Sequence, residues 1–481
     1  MGANLRLTIN KMATYSLGFG LFVSWLYLFP MFGPLLDKVS LGNGSHLTEL
    51  FLLFVGFHGL GLLAYGKYFS YVVSLHKRSK IQIMQRSMIT FIGWSAVLTL
   101  CFAILPAMFL PWVMAGLGLA AAPIMILYQV YVSEYFPTLT MGKKIGLALF
   151  LAELIYILFT FYDNDFGTIW LFILAVMLLF LSLWLFQTGL RHSVASTSTL
   201  QQITTKMVNK RGYMIKLLIM VFFWYLVTGF MYSLAYPSWF GNVSYSLCVE
   251  NASYMVAALL AGYFADRYVR KHMLFISLSL SGIGYLILYA FRGHAEAVFA
   301  ICLLQFGSAF LDLYLFTTLA EIASQDPHPS SIWGEGLFIN LFAIFVANGL
   351  FFAGHEAGWL LSGLKLAGIM IIFLLIPISN AVIKPNLWGV RQNDRSQNES
   401  SDPSKGEKAD DLEGLFHHYH LTPREAQVAQ LILKGHTMSE IEQELHIKVT
   451  TIKTHLKGIY NKTGTNNQKD FILFVHHYLQ E

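Results

Sequence analysis

Long apolar runs broken by short polar stretches fill the chain up to about residue 384, and then the pattern changes. A membrane-spanning helix needs roughly 20 mostly apolar residues. By that measure helices are expected near 12–36, 48–74, 87–106, 109–132, 145–163, 167–187, 213–236, 243–264, 273–291, 296–320, 333–354 and 357–380. These form two groups of six, in halves 1–190 and 212–384, joined by a polar loop, 191–211. Residues 385–411 are polar, mixed in charge and poor in apolar side chains, as in a flexible tether. From 412 to 481 apolar residues return at helical spacing. Thr422 is placed to cap a helix opening at Pro423 and ending by Gly435, followed by helices at Ser439–Leu445, Thr450–Thr463 and Asn467–Leu479. The expected fold class is all-α: a polytopic membrane domain, 1–384, and a four-helix head, 412–481.

Composition agrees. The chain is 56% hydrophobic and 15% aromatic, with 12% charged residues, where a soluble domain carries about 25% charged residues. The net charge of +5 is best read loop by loop. One side of the span pattern collects Arg6, Lys11, Lys77, Arg78, Lys80, Arg86, Lys143, Lys144, Arg191, Lys206, Lys210, Arg211, Arg267, Arg270 and Lys271; the other has little beyond Lys38 and Arg292. The basic side is the cytoplasmic one, and an even number of spans returns the head to it. The first apolar run continues through Leu36 without a small-residue cleavage site, so it reads as a spanning helix and not as a signal peptide. Cys101, Cys248 and Cys302 lie singly in apolar segments, as packed thiols do.

The head carries the most specific motif. LTPREAQVAQLILKG from Leu421, continued by TMSEIEQELHIKVTTIKTHLKGIYNKTG, resembles the helix-turn-helix of LuxR/FixJ-type regulators. Arg424, Glu425, Val428, Leu431, Gly435, Glu440, Ile441, Leu445, Ile447, Lys453, His455, Ile459 and Gly464 are among the positions that match in order. Ile452, Leu456, Ile459 and Tyr460 fall at spacings of three and four, which makes them the buried stripe of the third helix. The resemblance implies that this helix enters the major groove of double-stranded promoter DNA. It assigns groove contacts to Lys453, Thr454 and Lys457, with Thr451 beside them and Lys462 reaching phosphates. It also implies that two heads bind a two-fold site as a dimer. Glu442 (usually alanine), Lys448 (usually serine), Thr463 and Gln468 depart from the pattern, and Glu442 stands where two helices approach.

The membrane part has weaker signatures. GYFADRYVRK resembles the loop motif of the major facilitator superfamily, with Gly262, Asp266, Arg267, Arg270 and Lys271 in place and Val269 where glycine is usual. An acid at a helix end, followed by bases, can latch two helices on the cytoplasmic side. The equivalent HKRSK after the second span keeps its bases without a matching acid. MAGLGLAAAP resembles the family's glycine-rich packing motif, with Trp112 in place of its usual arginine. SEYFPTLTMGKKIG has a looser echo in AEIASQDPHPSSIWGEG, the mark of an internal repeat.

Ionisable groups inside spans are costly and usually face a cavity or a partner. His58, Glu153, Glu250, Asp312 and Lys365 are such groups. The facilitator resemblance implies a central cavity lined by helices 1, 4, 7 and 10. That places Asp312, with Glu153 and Glu250, near a ligand-sized space; the alternative is that Asp312 and Glu250 are neutral, or that one of them pairs with Lys365 to hold helices together. Trp25, Tyr27, Trp224 and Tyr225, with Tyr128 and Tyr232, would suit a flat organic ligand or plain helix packing. The sequence has no metal-ligand set and no nucleophile–base pair, so no enzyme activity and no cofactor are expected. His417, His418 and His420 read as solvated.

No receiver or autoinducer domain precedes the head. The expected protein is a one-component transcriptional regulator in a bacterial cell membrane, sensing a small molecule or the state of the bilayer. A working transporter with a DNA-binding appendage is the alternative, and a constitutive head on a degenerate anchor is a third reading. The topology is directly testable: reporter fusions after Asp165 and Glu356 should score as periplasmic, and those after Lys206 and Lys408 as cytoplasmic. A cytoplasmic signal at Asp165 or Glu356 contradicts the twelve-span arrangement.

Overall fold

The computed structural model describes residues 2–31, 33, 35–36, 44–75, 80–136, 140–162, 168–194, 210–239, 243–268, 270–291, 293–354, 358–382, 415–433 and 438–478. Its regular elements are helices. The first half contains α1 Gly2–Leu28, α2 Gly44–Leu75, α3 Lys80–Ile104, α4 Leu110–Tyr135, α5 Met141–Tyr162 and α6 Thr168–Val194. The second contains α7 Lys210–Trp239, α8 Val243–Arg267, α9 Lys271–Ala290, α10 His294–Ser324, α11 Pro329–Gly354 and α12 Gly358–Val382. Eight stretches within these helices are long and apolar enough to cross a membrane, and Ala13–Leu28 and Leu366–Ser379 are shorter apolar ones. The tether expected at 385–411 and most of the loop at 191–211 lie outside the described residues.

Helix ends follow local chemistry. The first span was expected to reach residue 36, but α1 stops at Leu28. Pro30 has no N–H to continue the ladder. Gly33 folds back so closely on the Leu28 and Tyr27 carbonyls that a side chain there would overlap them. Between α3 and α4 a single 3-10 turn, Ala107–Phe109, follows Pro106, and Pro111 lies in the first turn of α4, where its missing donor costs nothing.

The two halves repeat one packing scheme. In the first, α1 packs on α5 and α6, α2 on α4, and α3 on α4 and α6; adding six to each number gives the contacts of the second. The echo between SEYFP and AEIAS is part of this repeat. Lys80 at the start of α3 pairs with Glu134 at the end of α4, and Arg270 before α9 pairs with Glu321 at the end of α10.

Across the halves, α2 packs on α11 and α5 on α8. Both contacts are made by glycine. A methyl group on Gly262 would meet the Gly142 carbonyl, and one on Gly334 would meet that of Leu62. Lipid supplies no hydrophobic force between helices, so close backbone approach and interhelical hydrogen bonds hold them together. Asp266 supplies such bonds, accepting from the backbone N–H of Gly142 (2.8 Å) and Lys143 (3.0 Å) at the start of α5. The latch expected from GYFADRYVRK therefore works by capping a helix of the other half. Arg267 lies over the Tyr263 ring, and Arg270 serves Glu321; the Lys271 side chain lies outside the described ones. Ser70, four residues after Gly66 as Asp266 is after Gly262, hydrogen-bonds the Ser330 hydroxyl (2.7 Å), which donates to the Gly66 carbonyl (2.8 Å). The loop without an acid thus has a neutral counterpart of the latch.

The outer surface of the bundle is apolar: Trp94, Met108, Trp112, Trp170, Met177, Trp184, Phe299, Phe373 and Leu374 are exposed. Trp112, in place of the usual arginine, points outward with 78% of its surface exposed. A coat of this kind is a lipid-facing surface. This is a multi-pass membrane protein.

The second compact unit is the head. After a helical turn at 415–418 come α13 Pro423–Leu433, α14 Met438–Leu445, α15 Val449–Thr463 and α16 Gln468–Tyr478. Leu415, Phe416, Val428, Ile432, Ile441, Ile452, Leu456, Ile459, Phe471 and Val475 form its core.

The glycine contacts generate a paired prediction. Gly262→Ala should lower the thermal stability of the solubilised protein by about 1–3 kcal/mol, because backbone occupies the space its methyl group needs. Gly349→Ala, on the same kind of helix with nothing within 4 Å, should be neutral or slightly stabilising. Equal melting shifts for the two would count against the packing described.

Candidate functional site

The third helix of the head presents two faces. Ile452, Leu456 and Ile459 are buried, as their spacing predicts, and Tyr460 is half-buried with its ring 6.4 Å from Phe471. Thr450, Thr451, Lys453, Thr454 and Lys457 are exposed. Thr450, Lys453, Thr454 and Lys457 recur at the three- and four-residue spacing that puts them on one side of a helix. The Thr454 hydroxyl donates back to the Thr450 carbonyl (3.1 Å), leaving its methyl group toward the outside. This is a convex, basic, uncluttered helix face of the width a major groove admits. Lys448 is exposed at its start, and Glu442 is half-buried beside the fully buried Ile441.

Lys462 behaves differently. Its Nζ donates to Glu425 (2.7 Å) and to the His420 carbonyl (2.9 Å) while the side chain stays a third exposed, so the amine expected to reach phosphates is also tied to the head. Glu425 is the hub. It accepts from the Thr422 N–H (2.8 Å) and hydroxyl (2.9 Å), while the Glu425 N–H donates back to the Thr422 hydroxyl (3.3 Å). This is a capping box, legible as Thr-x-x-Glu, of which the sequence analysis recognised only Thr422. Gly458 lies directly against the Glu425 carboxylate, so the cap of α13 is also its seat on α15. Burial pushes the Glu425 carboxyl up, but the hydrogen bonds from Lys462 and Thr422 outweigh it and hold the pKa below its ordinary value. Gly464 (φ 67°) ends α15 in the left-handed region, its N–H bonded to the Tyr460 carbonyl.

The membrane unit contains a partly open cavity of about 270 Å³. Its lining comes from helices α1, α2, α4, α5, α7, α8, α10 and α11, with α3, α6, α9 and α12 outside, which is the arrangement the facilitator resemblance implies. Glu153, Glu250, Asp312, Tyr27 and Tyr225 all line it. Asp312 accepts hydrogen bonds from Tyr225 and from Tyr254 (2.5 Å), which ties α7, α8 and α10 together at the cavity wall. His58 also lines it, its ring 3.0 Å from the Gly118 carbonyl. Trp25 and Trp224 do not. Trp25 is turned toward α3, where its Nε1 donates to Thr99 (3.2 Å), and Trp224 is buried in packing. Tyr128 is held against α6 through Ser182. The Lys365 and Tyr232 side chains lie outside the described ones. Tyr254, Asn251 and Asn340 are lining residues that sequence reasoning missed; an amide or a phenol in a span is too common to stand out.

The Glu425 hub predicts how the head responds to acid. A lowered carboxyl pKa means that the folded state favours the ionised form. Its stabilisation is complete at neutral pH and is lost as the pH falls from about 4.5 through the lowered value. In a fragment covering residues 412–481, Glu425→Gln should reduce stability at neutral pH by about 1–3 kcal/mol and flatten the dependence of melting temperature on pH below that point. A parent and variant with parallel melting curves across this range would show that the hub contributes nothing.

Residues 419–475 match the family described as bacterial regulatory proteins, luxR family (GerE). The HTH-type transcriptional regulator MalT of Vibrio campbellii is 43% identical over 60 residues, which are 12% of this chain and 7% of that regulator. MalT of Yersinia enterocolitica is 40% identical over 60 residues, with the same coverage. The chain thus spans less than a tenth of the length of the curated relatives it matches. Among solved structures, the human organic anion transporter MFSD10 (TETRAN) covers 78% of this chain and 99% of its own, with TM-score 0.60 and 12% identity. The proton:xylose symporter XylE, of the major facilitator superfamily, gives 0.57 at 14% identity over 80% of this chain and 96% of its own. A bacterial homologue of the iron transporter ferroportin gives 0.55 at 11% identity, over 78% and 99%. The chain therefore joins a twelve-helix unit with the major facilitator fold to a LuxR-type helix-turn-helix domain.

Proposed function

We propose that this protein is a membrane-embedded, one-component transcription regulator. The observation that carries the reading is the exposed face of Lys453, Thr454 and Lys457 on a LuxR-type head, in the same chain as a bundle with a cavity between its halves. The side bearing most Lys and Arg is the cytoplasmic one, so the head meets promoter DNA there. The input is a small molecule in the cavity. It acts by binding one arrangement of the two halves better than the other, since a ligand shifts an equilibrium only by its difference in affinity. The output is altered pairing of heads on a two-fold site.

The transporter alternative is favoured by one feature, the cross-half latch of Asp266 on the start of α5. The fold neighbours do not choose between the readings. They are an organic anion transporter, a proton:xylose symporter and a homologue of an iron transporter, three unrelated chemistries carried on one fold.

A promoter reporter in cells expressing the full chain tests both ends of the reading. Lys453→Ala should abolish reporter control and cost roughly 1–3 kcal/mol of preference for the site over other DNA. Lys457→Ala should weaken binding to all sequences alike and lower its salt dependence. Asp312→Asn should abolish or lock the response to inducer while leaving protein level in the membrane and DNA binding by the head unchanged. Unaltered DNA binding in the Lys453/Lys457 double variant sinks the assignment of the head. Accumulation of the inducer against a gradient in vesicles moves the membrane unit to the transporter reading.

A further inference from the structure

The cavity is unusual in what it leaves uncompensated. Glu153 and Glu250 are each more than nine-tenths buried, both line the space, and neither has a hydrogen-bond or ion partner among the described residues. Asn340 Oδ1, also in the lining, is likewise buried without a partner. Asp312, the third carboxylate, is held by two tyrosines and, among the described residues, by no base. Among the described residues of the lining there is no Lys or Arg; His58 is the one side chain able to carry positive charge, and its ring faces the Gly118 carbonyl. Buried acceptors without donors are costly, and carboxylates in a membrane interior more so. What they lack in common is a donor that carries positive charge. Phe19, Tyr156 and Phe316 stand in the wall alongside the tyrosines that hold Asp312, among aliphatic side chains and neutral polar ones such as Asn251, Gln305 and Ser308. Aromatic faces attract cations and exclude hydrated anions.

We infer that the cavity binds an organic cation, a protonated amine on an aromatic or apolar body, with Glu153 and Glu250 as its counter-charges. This rests on the reading that the ligand occupies the cavity, and it names that ligand's class. An anion would add negative charge beside three carboxyl groups, with no Lys or Arg among the described residues of the lining to offset it. A bare metal ion would leave the apolar wall and most of the volume unused.

The test uses the full chain in lipid nanodiscs at neutral pH with three probes of one shape: phenethylamine, phenethyl alcohol and phenylacetate. The amine should bind at least roughly tenfold more tightly than the alcohol, a difference one charged contact can supply, and phenylacetate should not compete. Glu153→Gln and Glu250→Gln should each weaken the amine by a similar factor and leave alcohol binding unchanged. Retained alcohol binding shows that the variant cavity is intact. Equal affinity for amine and alcohol, preference for phenylacetate, or displacement of the amine by sodium at equal concentration overturns the inference. The promoter reporter separates this outcome from the sensor reading. Amine binding without a reporter response upholds the cation site and sinks the sensor. A reporter answering to a neutral or anionic inducer whose binding is unaffected by the two variants does the reverse.

Discussion

Two glycine contacts, Gly262 of α8 against α5 and Gly334 of α11 against α2, set how closely the halves of the membrane unit approach. In lipid an apolar side chain gains nothing by leaving the outside for the inside, so packing distance and hydrogen bonds decide the arrangement. At these contacts backbone lies against backbone, and the neighbouring polar groups come within bonding range. Asp266 can then cap α5, and Ser330 can reach the Gly66 carbonyl. The two pins differ in character. One is a carboxylate on a helix start, whose strength depends on charge; the other is a pair of hydroxyls, whose strength does not.

Holding α2 on α11 and α5 on α8 leaves the space between α1, α4, α7 and α10 to be filled or left open, and the cavity is there. The costly groups of the membrane unit collect along it. Asp312 is satisfied by tyrosines from two neighbouring helices, which fixes that wall, while Glu153 and Glu250 have no hydrogen-bond or ion partner among the described residues. The apolar coat outside and the acidic wall inside invert the usual order of a soluble protein. On the proposed reading, a ligand supplies what the wall lacks.

The head solves a different problem with the same economy of parts. A domain this small has little core to spare, and a single carboxylate caps α13, anchors Lys462 and seats Gly458. Tying Lys462 to Glu425 separates it from the outer face of α15, where Lys453, Lys457, Asn461 and the threonines stand exposed.

The sequence alone determined the elements with strong local causes. Spans follow from run length, the third head helix from the spacing of Ile452, Leu456 and Ile459, and the repeat from the echo of SEYFP in AEIAS, because each is a pattern the chain carries without reference to distant residues. The head's motif is dense enough to name its fold. Side-chain direction was another matter. Glu153, Glu250 and Asp312 stood out because charge in a span is rare, but Trp25 and Trp224 could not be told from cavity aromatics, since facing a neighbour or a void depends on helix rotation. Lys462 looked like its basic neighbours until the fold brought Glu425 and the His420 carbonyl to it from a distant helix end. Ser70 was silent in the sequence and meaningful only opposite Ser330. Tertiary structure alone decided which polar groups meet and which are left facing an open space, because hydrogen-bond partners in this chain are separated by tens to hundreds of residues.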